Sequence, residues 1–506
     1  MIREPEEIDV DDGGELVSRV AAIDVAKASG KVCTRVPHPS AAGRRVTKGW
    51  DVGATTNAIM ELANELARQD IERVVVEATS DYWRPFVYLL EARGVPVWLV
   101  NAHDVKQVPG RPKTDKLDSV WLAKLNERGM LRPSFIPPVE IRQLRDYTRL
   151  RVDLVEDRTR HKQRIEKLLE DSLIKLSTVA SDIFGKSGRA MLDALIAGER
   201  DPDVLADLAL GKMRPKRLAL KEALTGRFDE HHAELIDMLL EEVDALTAKI
   251  DTLTERAAQL IAQIPAAAAP PPGPGINNPG QVPLDAVARL DEITGIGVTA
   301  AQTIIAEIGL DMAQFRTAGH LVSWAKLSPR TIQSGTRSRT GKTGKGNPYL
   351  KRVLADAAAS VARTNTFLGE RYRRLVKRRG KLKAPVAVAR SILVTIWHLL
   401  ADPTTRFHDL GADFYPRTVN TQRRTRNLIH QLEVLGHQVT LTHPHPSRLT
   451  TPKPTRPHPT SGDPARQYQP QHQSFFGSGA PVLLCSPVSP SPFQSVRAVF
   501  PHTAYR

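Results

Sequence analysis

The chain reads as an α/β domain followed by mainly α structure, and three observations predict this. Between residues 18 and 138, short β-branched apolar runs alternate with stretches of helical periodicity. From 139 to 264, Pro and Gly become sparse and apolar residues recur at alternating steps of three and four, the pattern of a long coiled-coil helical arm. A Pro/Gly-rich linker over 265–283 then separates the arm from a mainly helical C-terminal domain over 284–410. Residues 1–17 read as a polar leader, 411–442 as a short basic segment, and 443–506 as a disordered tail rich in Pro, Ser, His and Gln.

A length of 506 residues admits two or three domains, each able to bury a core. Lys and Arg number 71 against 56 Asp and Glu, a net +15 that calls for a polyanionic partner. Nucleic acid is the simplest, and an anionic membrane surface is the rival. No uninterrupted apolar run reaches the roughly 18 residues of a spanning helix. The first residues are acidic where a signal peptide would be basic and then apolar. Cys33 and Cys485 are the only cysteines, which excludes a disulfide framework and a thiolate metal cluster. A soluble, cytoplasmic protein with no membrane partner is expected.

In chain order, Val20–Asp24 and Lys31–Val36 read as neighbouring strands, with Arg44–Thr47 as a candidate third. Ile59, Leu62 and Leu66 mark an amphipathic helix, Val74–Glu77 a strand, Asp81–Arg93 a helix, and Val95–Val100 a strand. A further helix starts near Thr114. Asp24 and Glu77 each close an apolar strand, at the end where open α/β sheets place their ligand sites. Asp115 and Asp118 open the later helix, three residues apart and so on one face. That pair has two readings: acids favouring the positive end of a helix dipole, or ligands that need a cation between them. Taken with Asp24 and Glu77, they form a set able to hold two divalent ions about 3.5–4 Å apart across a scissile phosphate. Carboxylate oxygens suit Mg²⁺, or Mn²⁺ in its place.

In the arm, Ile236, Leu239, Val243, Leu246, Ile250, Leu253, Ala257, Leu260 and Ile264 form a heptad seam. It serves either a homo-oligomer, dimer or tetramer, or an intramolecular hairpin with the earlier helix Ile141–Leu173. Arg158, Arg160, Lys162 and Arg164 form a basic run, read as a solvated face or a phosphate-binding one. His231 and His232 are adjacent, so on a helix their side chains diverge by about 100°; they are read as surface.

Past the linker, Ile293–Val298 carries Gly295 and Gly297 in a turn between helices, a helix-packing turn whose N–H groups could also grip a phosphate. Residues 333–347 are small, polar and basic, with Arg337, Arg339, Lys342 and Lys345 expected in a loop that suits a phosphate backbone. Gly341-Lys342-Thr343 is not a nucleotide-binding P-loop, because five residues separate it from Gly335 where that motif has four. Asn347-Pro348 caps a helix bearing Leu350, Val353, Leu354, Ala357 and Val361 on one face. Arg373, Arg374, Lys377 and Arg378 add another basic surface, and Pro385–Leu400 reads as a core helix.

Three short blocks carry a family resemblance: Ala22-Ile-Asp24-Val-Ala-Lys27, Val76-Glu77-Ala-Thr79 and Lys113-Thr-Asp-Lys-Leu-Asp118. They resemble the DEDD domain of transposases of the IS-one-ten insertion-sequence family, which implies a ribonuclease-H/RuvC-like fold and metal ligands at Asp24, Glu77, Asp115 and Asp118. The segment around Gly295 resembles that family's helix-hairpin-helix element. The Gln333-Ser334-Gly335 block resembles its second domain, in which a Ser-Gly pair carries the nucleophilic serine; the match falls on Ser334. A serine attacking a phosphodiester conserves the bond energy in a phosphoseryl link, so strands can be exchanged without ATP. The resemblance spans roughly 18–410. It implies a transposase acting on the DNA ends of its own element, directed by a structured noncoding RNA from that element. A RuvC-like junction nuclease using the acids alone, and a non-catalytic nucleic-acid scaffold, are the alternatives. A sugar-kinase use of the fold is disfavoured, since Val-Ala rather than Gly follows Asp24.

Overall fold

The computed structural model describes residues 17–41, 43–78, 80–105, 115–271, 283–329, 331–341, 343–417 and 421–441. Most of the leader, the 443–506 tail and Lys342 lie outside the described residues. The chain forms two compact units, one of residues 1–253 with 305–309, the other of 254–304 with 310–506.

The first unit opens with strands β1 (Val20–Val25), β2 (Ser29–Pro37) and β3 (Arg45–Gly53), then helix α1 (Thr56–Arg68), strand β4 (Arg73–Ala78), helix α2 (Trp83–Ala92) and strand β5 (Val97–Asn101). A short helix α3 (Ala102–Val105) precedes α4 (Asp115–Glu127). The sheet order is β3-β2-β1-β4-β5, with β1–β2 and β2–β3 antiparallel and β1–β4 and β4–β5 parallel. Strand alternation sorts β1 into two faces. Ala21, Ile23 and Val25 join Val74 and Val76 in a core with Ile59, Leu62 and Leu66 of α1 and Phe86, Val87 and Leu90 of α2. Ala22, Cys33, Val75 and Val100 face the other way, into a core with Leu122, Ala123 and Leu125 of α4. The central strands are apolar on both faces because both are covered.

The candidate third strand is longer than expected. Its outer part, Arg45–Gly49, is polar and mostly exposed, so the sequence carries little alternation there, and pairing with β2 defines it.

The helical part of this unit comprises α5 (Val139–Asp171), α6 (Leu176–Val179), α7 (Lys186–Ile196), α8 (Pro202–Asp207), α9 (Arg217–Leu224) and α10 (Glu230–Ala262), the last of which runs on from Thr254 into the second unit. Ile165 and Leu169 of α5 share a core with Ile236, Leu240 and Val243 of α10 and with Met191, Leu192 and Leu195 of α7. The upper seam of α10 is therefore covered from within the chain, as in the hairpin reading. Leu240, not Leu239, is its fully buried leucine, and Ile264 lies beyond the helix end.

The second unit is mainly helical: α11 (Ala286–Asp291), α12 (Val298–Ile308, whose end from Ile305 counts with the first unit), α13 (Ala318–Trp324), a hairpin of β6 (Thr331–Ser334) and β7 (Arg337–Thr340), α14 (Pro348–Val361), α15 (Phe367–Arg379), α16 (Ala384–Ala401), α17 (Phe414–Arg417) and α18 (Thr421–Val434). Asn347 caps α14 by accepting the Leu350 N–H, with Pro348 in the first turn. Leu350, Leu354, Ala357 and Val361 are buried and Val353 half-buried. Helix α16 has the length and mean hydropathy (1.6) of a membrane-crossing segment. Its Val388, Ile392, Leu393, Ile396 and Leu399 are buried, and it packs on α11, α13, α14 and α15 as a core helix.

Candidate metal centre and serine hairpin

Asp24 and Glu77 stand directly opposite each other on the parallel pair β1–β4. Asp24 shares the face of Ala22, and Glu77 that of Val75, so both acids are on the side that carries α4. Glu77 is 4% exposed and Asp24 half-buried. Adjacent strands lie about 4.8 Å apart, which puts two carboxylates side by side at the C-terminal ends of their strands.

Helix α4 brings a third acid to that end. Asn126, near its C-terminus, is fully buried and donates from Nδ2 to the carbonyls of Ala21 (3.0 Å) and Arg73 (3.1 Å), at the beginnings of β1 and β4. Arg73 returns the contact, donating Nε to Asn126 Oδ1 at 2.7 Å. The helix packs along β1 and β2. From Asn126 back to Asp118 is about 12 Å of helix, and from Ala21 to Asp24 about 10 Å of strand. The first turn of α4 thus returns to the strand ends that carry Asp24 and Glu77. Asp118 is half-buried there, and Asp115 is the first residue of the helix.

A second tie fixes the same helix end. Glu127 binds Arg35 Nε (2.7 Å) and Arg45 Nε (2.7 Å), spanning β2 and β3. Burial alone would raise the Glu127 carboxyl, but hydrogen bonds and charge from both guanidiniums outweigh it and hold the group below its ordinary value of 4.5. Sequence reasoning missed Asn126, Glu127 and Lys31. Lys31 pairs with Asp24 in the β1–β2 register and places its Nζ 3.0 Å from Asp51 Oδ1. Strand alternation in Lys31–Val36 was the available signal for Lys31. Long-range ties such as Arg35–Glu127 leave none.

The donor set is made of hard carboxylate oxygens, without thiolate or imidazole, and suits Mg²⁺ or Mn²⁺ rather than Zn²⁺. Cys33 is buried on the same face, and burial pushes its thiol up to about 11.

In the second unit, the expected loop around Ser334 is a β-hairpin. Ser334 ends β6 and faces Arg337 across a two-residue turn of Gly335 and Thr336. Gly335 has φ +56° while Thr336 stays at negative φ, which fits the hairpin turn with Gly at its first central position. Apart from Ile332 the segment is polar, so the sequence offers no alternation by which to read a strand. Arg339 lies on β7, and Lys345 is exposed between the hairpin and α14.

The remaining basic residues divide by what they touch. Arg158 donates to Thr247 Oγ1 (3.1 Å) within the arm, exposed Arg160 pairs with Asp157 one turn away, and Lys162 stands 4.6 Å over the Phe184 ring. Arg164 is exposed. Arg373 bonds Glu370 and the Thr364 carbonyl, and Arg374 stacks on Tyr415 at 4.2 Å, whereas Lys377 and Arg378 are exposed. Gly295 (φ +90°) is a packing glycine: a Cβ there would meet Ala357 O at 2.8 Å and Val361 at 2.7 Å. Gly297 is exposed at the start of α12.

The two adjacent histidines depart from expectation. His232 is buried, its ring centroid is 3.8 Å from that of His231, and ligand atoms of Asp229, His231 and His232 all lie within 4.8 Å of one another. They converge because α10 begins at Glu230, and His232 in the first turn reaches back to accept the Asp229 N–H on Nδ1 (3.3 Å). This is the reciprocal half of a capping box, with imidazole in place of the usual Glu. The Nδ1 lone pair is occupied by that bond.

A family model described as "Transposase", for the DEDD domain, matches residues 21–174, and a second, "Transposase IS116/IS110/IS902 family", matches 287–373. The chain belongs to the IS110 transposase family. The two matched segments are the ones that hold the acids and the serine hairpin. Among solved structures, Thermus thermophilus RuvC is 16% identical over 23% of this chain and 99% of that one, with a TM-score of 0.19. T. thermophilus RuvC in complex with Holliday junction substrate is 15% identical over the same shares, with a TM-score of 0.18. At those scores the mixed sheet rests on its own order and register. No curated protein matches the chain.

Proposed function

We propose that this IS110-family transposase cleaves and rejoins DNA at the ends of its own element, using a divalent-metal centre of Asp24, Glu77, Asp115 and Asp118 and a nucleophile at Ser334. The observation that carries the reading is the register of Asp24 with Glu77 on the face where α4 begins, in the segment matched by the DEDD transposase model. Three sequence-distant acids at the C-terminal ends of the central strands make a site for a cation that neutralises phosphate charge.

The four carboxylates would hold Mg²⁺ or Mn²⁺, which when bound supplies Lewis-acid stabilisation of charge on the phosphoryl oxygens. Their own task is to fix the ion against a rigid sheet, with Asn126 and Glu127 locking the helix that carries two of them. Ser334 sits beside a tight turn on an exposed hairpin, where a DNA backbone has access. Its Oγ forms a bond to phosphorus as the bond to the leaving deoxyribose oxygen breaks. The serine proton goes to solvent, and the leaving oxygen keeps the electron pair and takes a proton from solvent. Reversal with a different strand end reseals DNA at no net cost in bonds. Lys345, Lys377 and Arg378 add exposed positive charge for nucleic acid, and a structured RNA from the element is the proposed guide.

Strand exchange by Asp115→Asn and Ser334→Ala tests the scheme. Both variants should bind DNA, and both should lose exchange. Cleavage by Ser334→Ala at the parent rate would instead indicate a water-using metal nuclease of the junction-resolving type. Parent-level exchange by both variants would leave only a nucleic-acid scaffold.

A further inference from the structure

The hairpin register singles out one more group for the chemistry. In an antiparallel pair, directly opposed residues share a face, so Ser334 and Arg337 point to the same side, together with Ile332 and its partner Arg339. Gln333 belongs to the opposite face. Opposed Cβ atoms are about 4.5–5.5 Å apart, whereas Arg339 stands two pairs further from Ser334 along the hairpin. Ser334, Arg337 and Arg339 are all exposed. Among the described residues, neither guanidinium has a hydrogen bond or ion pair, in contrast to Arg158 and Arg373, which are engaged within the fold. The turn fixes the pairing, since Gly335 at φ +56° closes it in two residues and leaves Ser334 and Arg337 no freedom to slip in register.

From this juxtaposition we infer that Arg337 is a catalytic residue: its guanidinium grips the non-bridging oxygens of the phosphate that Ser334 attacks. The inference rests on the serine reading above and deepens it. As the Ser334 Oγ–P bond forms and the bond to the leaving deoxyribose oxygen breaks, negative charge gathers on the two non-bridging oxygens. A planar fork of N–H donors matches that pair, and a donor positioned before reaction contributes most in the transition state. Arg339, further from the serine, is assigned to holding the neighbouring backbone phosphate, a binding task.

The test uses the full-length chain with a duplex carrying the DNA that flanks its own coding sequence, together with RNA transcribed from the adjacent noncoding stretch. Covalent protein–DNA adduct is followed on denaturing gels, first with an ordinary scissile phosphate and then with a methylphosphonate there, which lacks the charge Arg337 is proposed to neutralise. Arg337→Ala should form adduct roughly a hundredfold more slowly than the parent on the phosphodiester. On the methylphosphonate that gap should close to within a few-fold, and Arg337→Lys should fall between. Arg339→Ala should weaken binding, with a deficit that saturating DNA removes and the methylphosphonate does not. An Arg337→Ala deficit of equal size on both substrates, or no deficit on either, overturns the inference and leaves the serine reading standing. A parent that forms no adduct, or a Ser334→Ala variant that still does, overturns the serine reading and this inference with it.

Discussion

At the scale of single residues, the acids and the serine differ in how their positions are held. Glu77 is locked in a buried central strand, so its carboxylate is placed by the sheet whatever binds. Glu77→Gln keeps the shape and removes the charge. It should cost about a hundredfold or more in DNA cleavage while thermal unfolding without metal stays within a few degrees of the parent. Ser334 is held only by a turn. Gly335→Ala puts a Cβ into open space but forces an alanine to φ +56°, so the expected cost is about 1 kcal/mol of backbone strain with no steric clash. Adduct formation should fall more than DNA binding does, because the turn sets the Ser334–Arg337 pairing. The acids were legible from sequence because each closes an apolar run or opens a helix. Ser334 was legible only through a family block, since nothing in Gln333–Arg339 alternates in a way that reports a strand.

At the scale of elements, α4 is the part on which the proposed metal centre depends, and two ties hold its far end. Asn126→Leu removes one partner from the buried carbonyls of Ala21 and Arg73, and an expected loss of about 2–3 kcal/mol can be read by denaturant unfolding. Cleavage should drop with it, although the substitution lies about 12 Å of helix from Asp118. Glu127 gives a pH dependence. Its folded pKa is below 4.5, so the stabilisation from Arg35 and Arg45 is complete above that value and is lost as pH falls through the folded one. Glu292 behaves alike in the second unit: burial opposes the shift, but Arg406 and the Phe407 N–H bind its carboxylate and lower it. Acid unfolding followed between pH 6 and 3 should begin near 4.5 in the parent, and Glu127→Gln should be less stable at pH 6 with a shallower acid slope. These ties join residues 82 and 92 apart for Glu127, and 114 apart for Glu292, a separation at which sequence patterns carry no pairing information. The helices and central strands were legible because their periodicity is set by burial, which acts locally along the chain.

At the scale of the whole molecule, the proposed function makes the surplus of 71 basic over 56 acidic residues the means of holding DNA. Binding should weaken steeply with salt, and Lys377→Glu with Arg378→Glu should lower both affinity and the slope of log Kd against log salt. Arg158→Glu should act mainly through stability, since that side chain bonds Thr247 within the arm. The division into an α/β part and a helical part followed from composition. Which basic runs face solvent did not, because charge on a helix looks the same in sequence whether it meets a phosphate, an Asp157 or a Phe184 ring. The central claim is that one chain joins a carboxylate metal centre to a serine nucleophile. Mass spectrometry of the protein after reaction with its own element ends tests it most directly. The account predicts a nucleotide-bearing peptide modified at Ser334, formed only with Mg²⁺ or Mn²⁺ and lost in Ser334→Ala; efficient strand cleavage with Ser334 unmodified would contradict it.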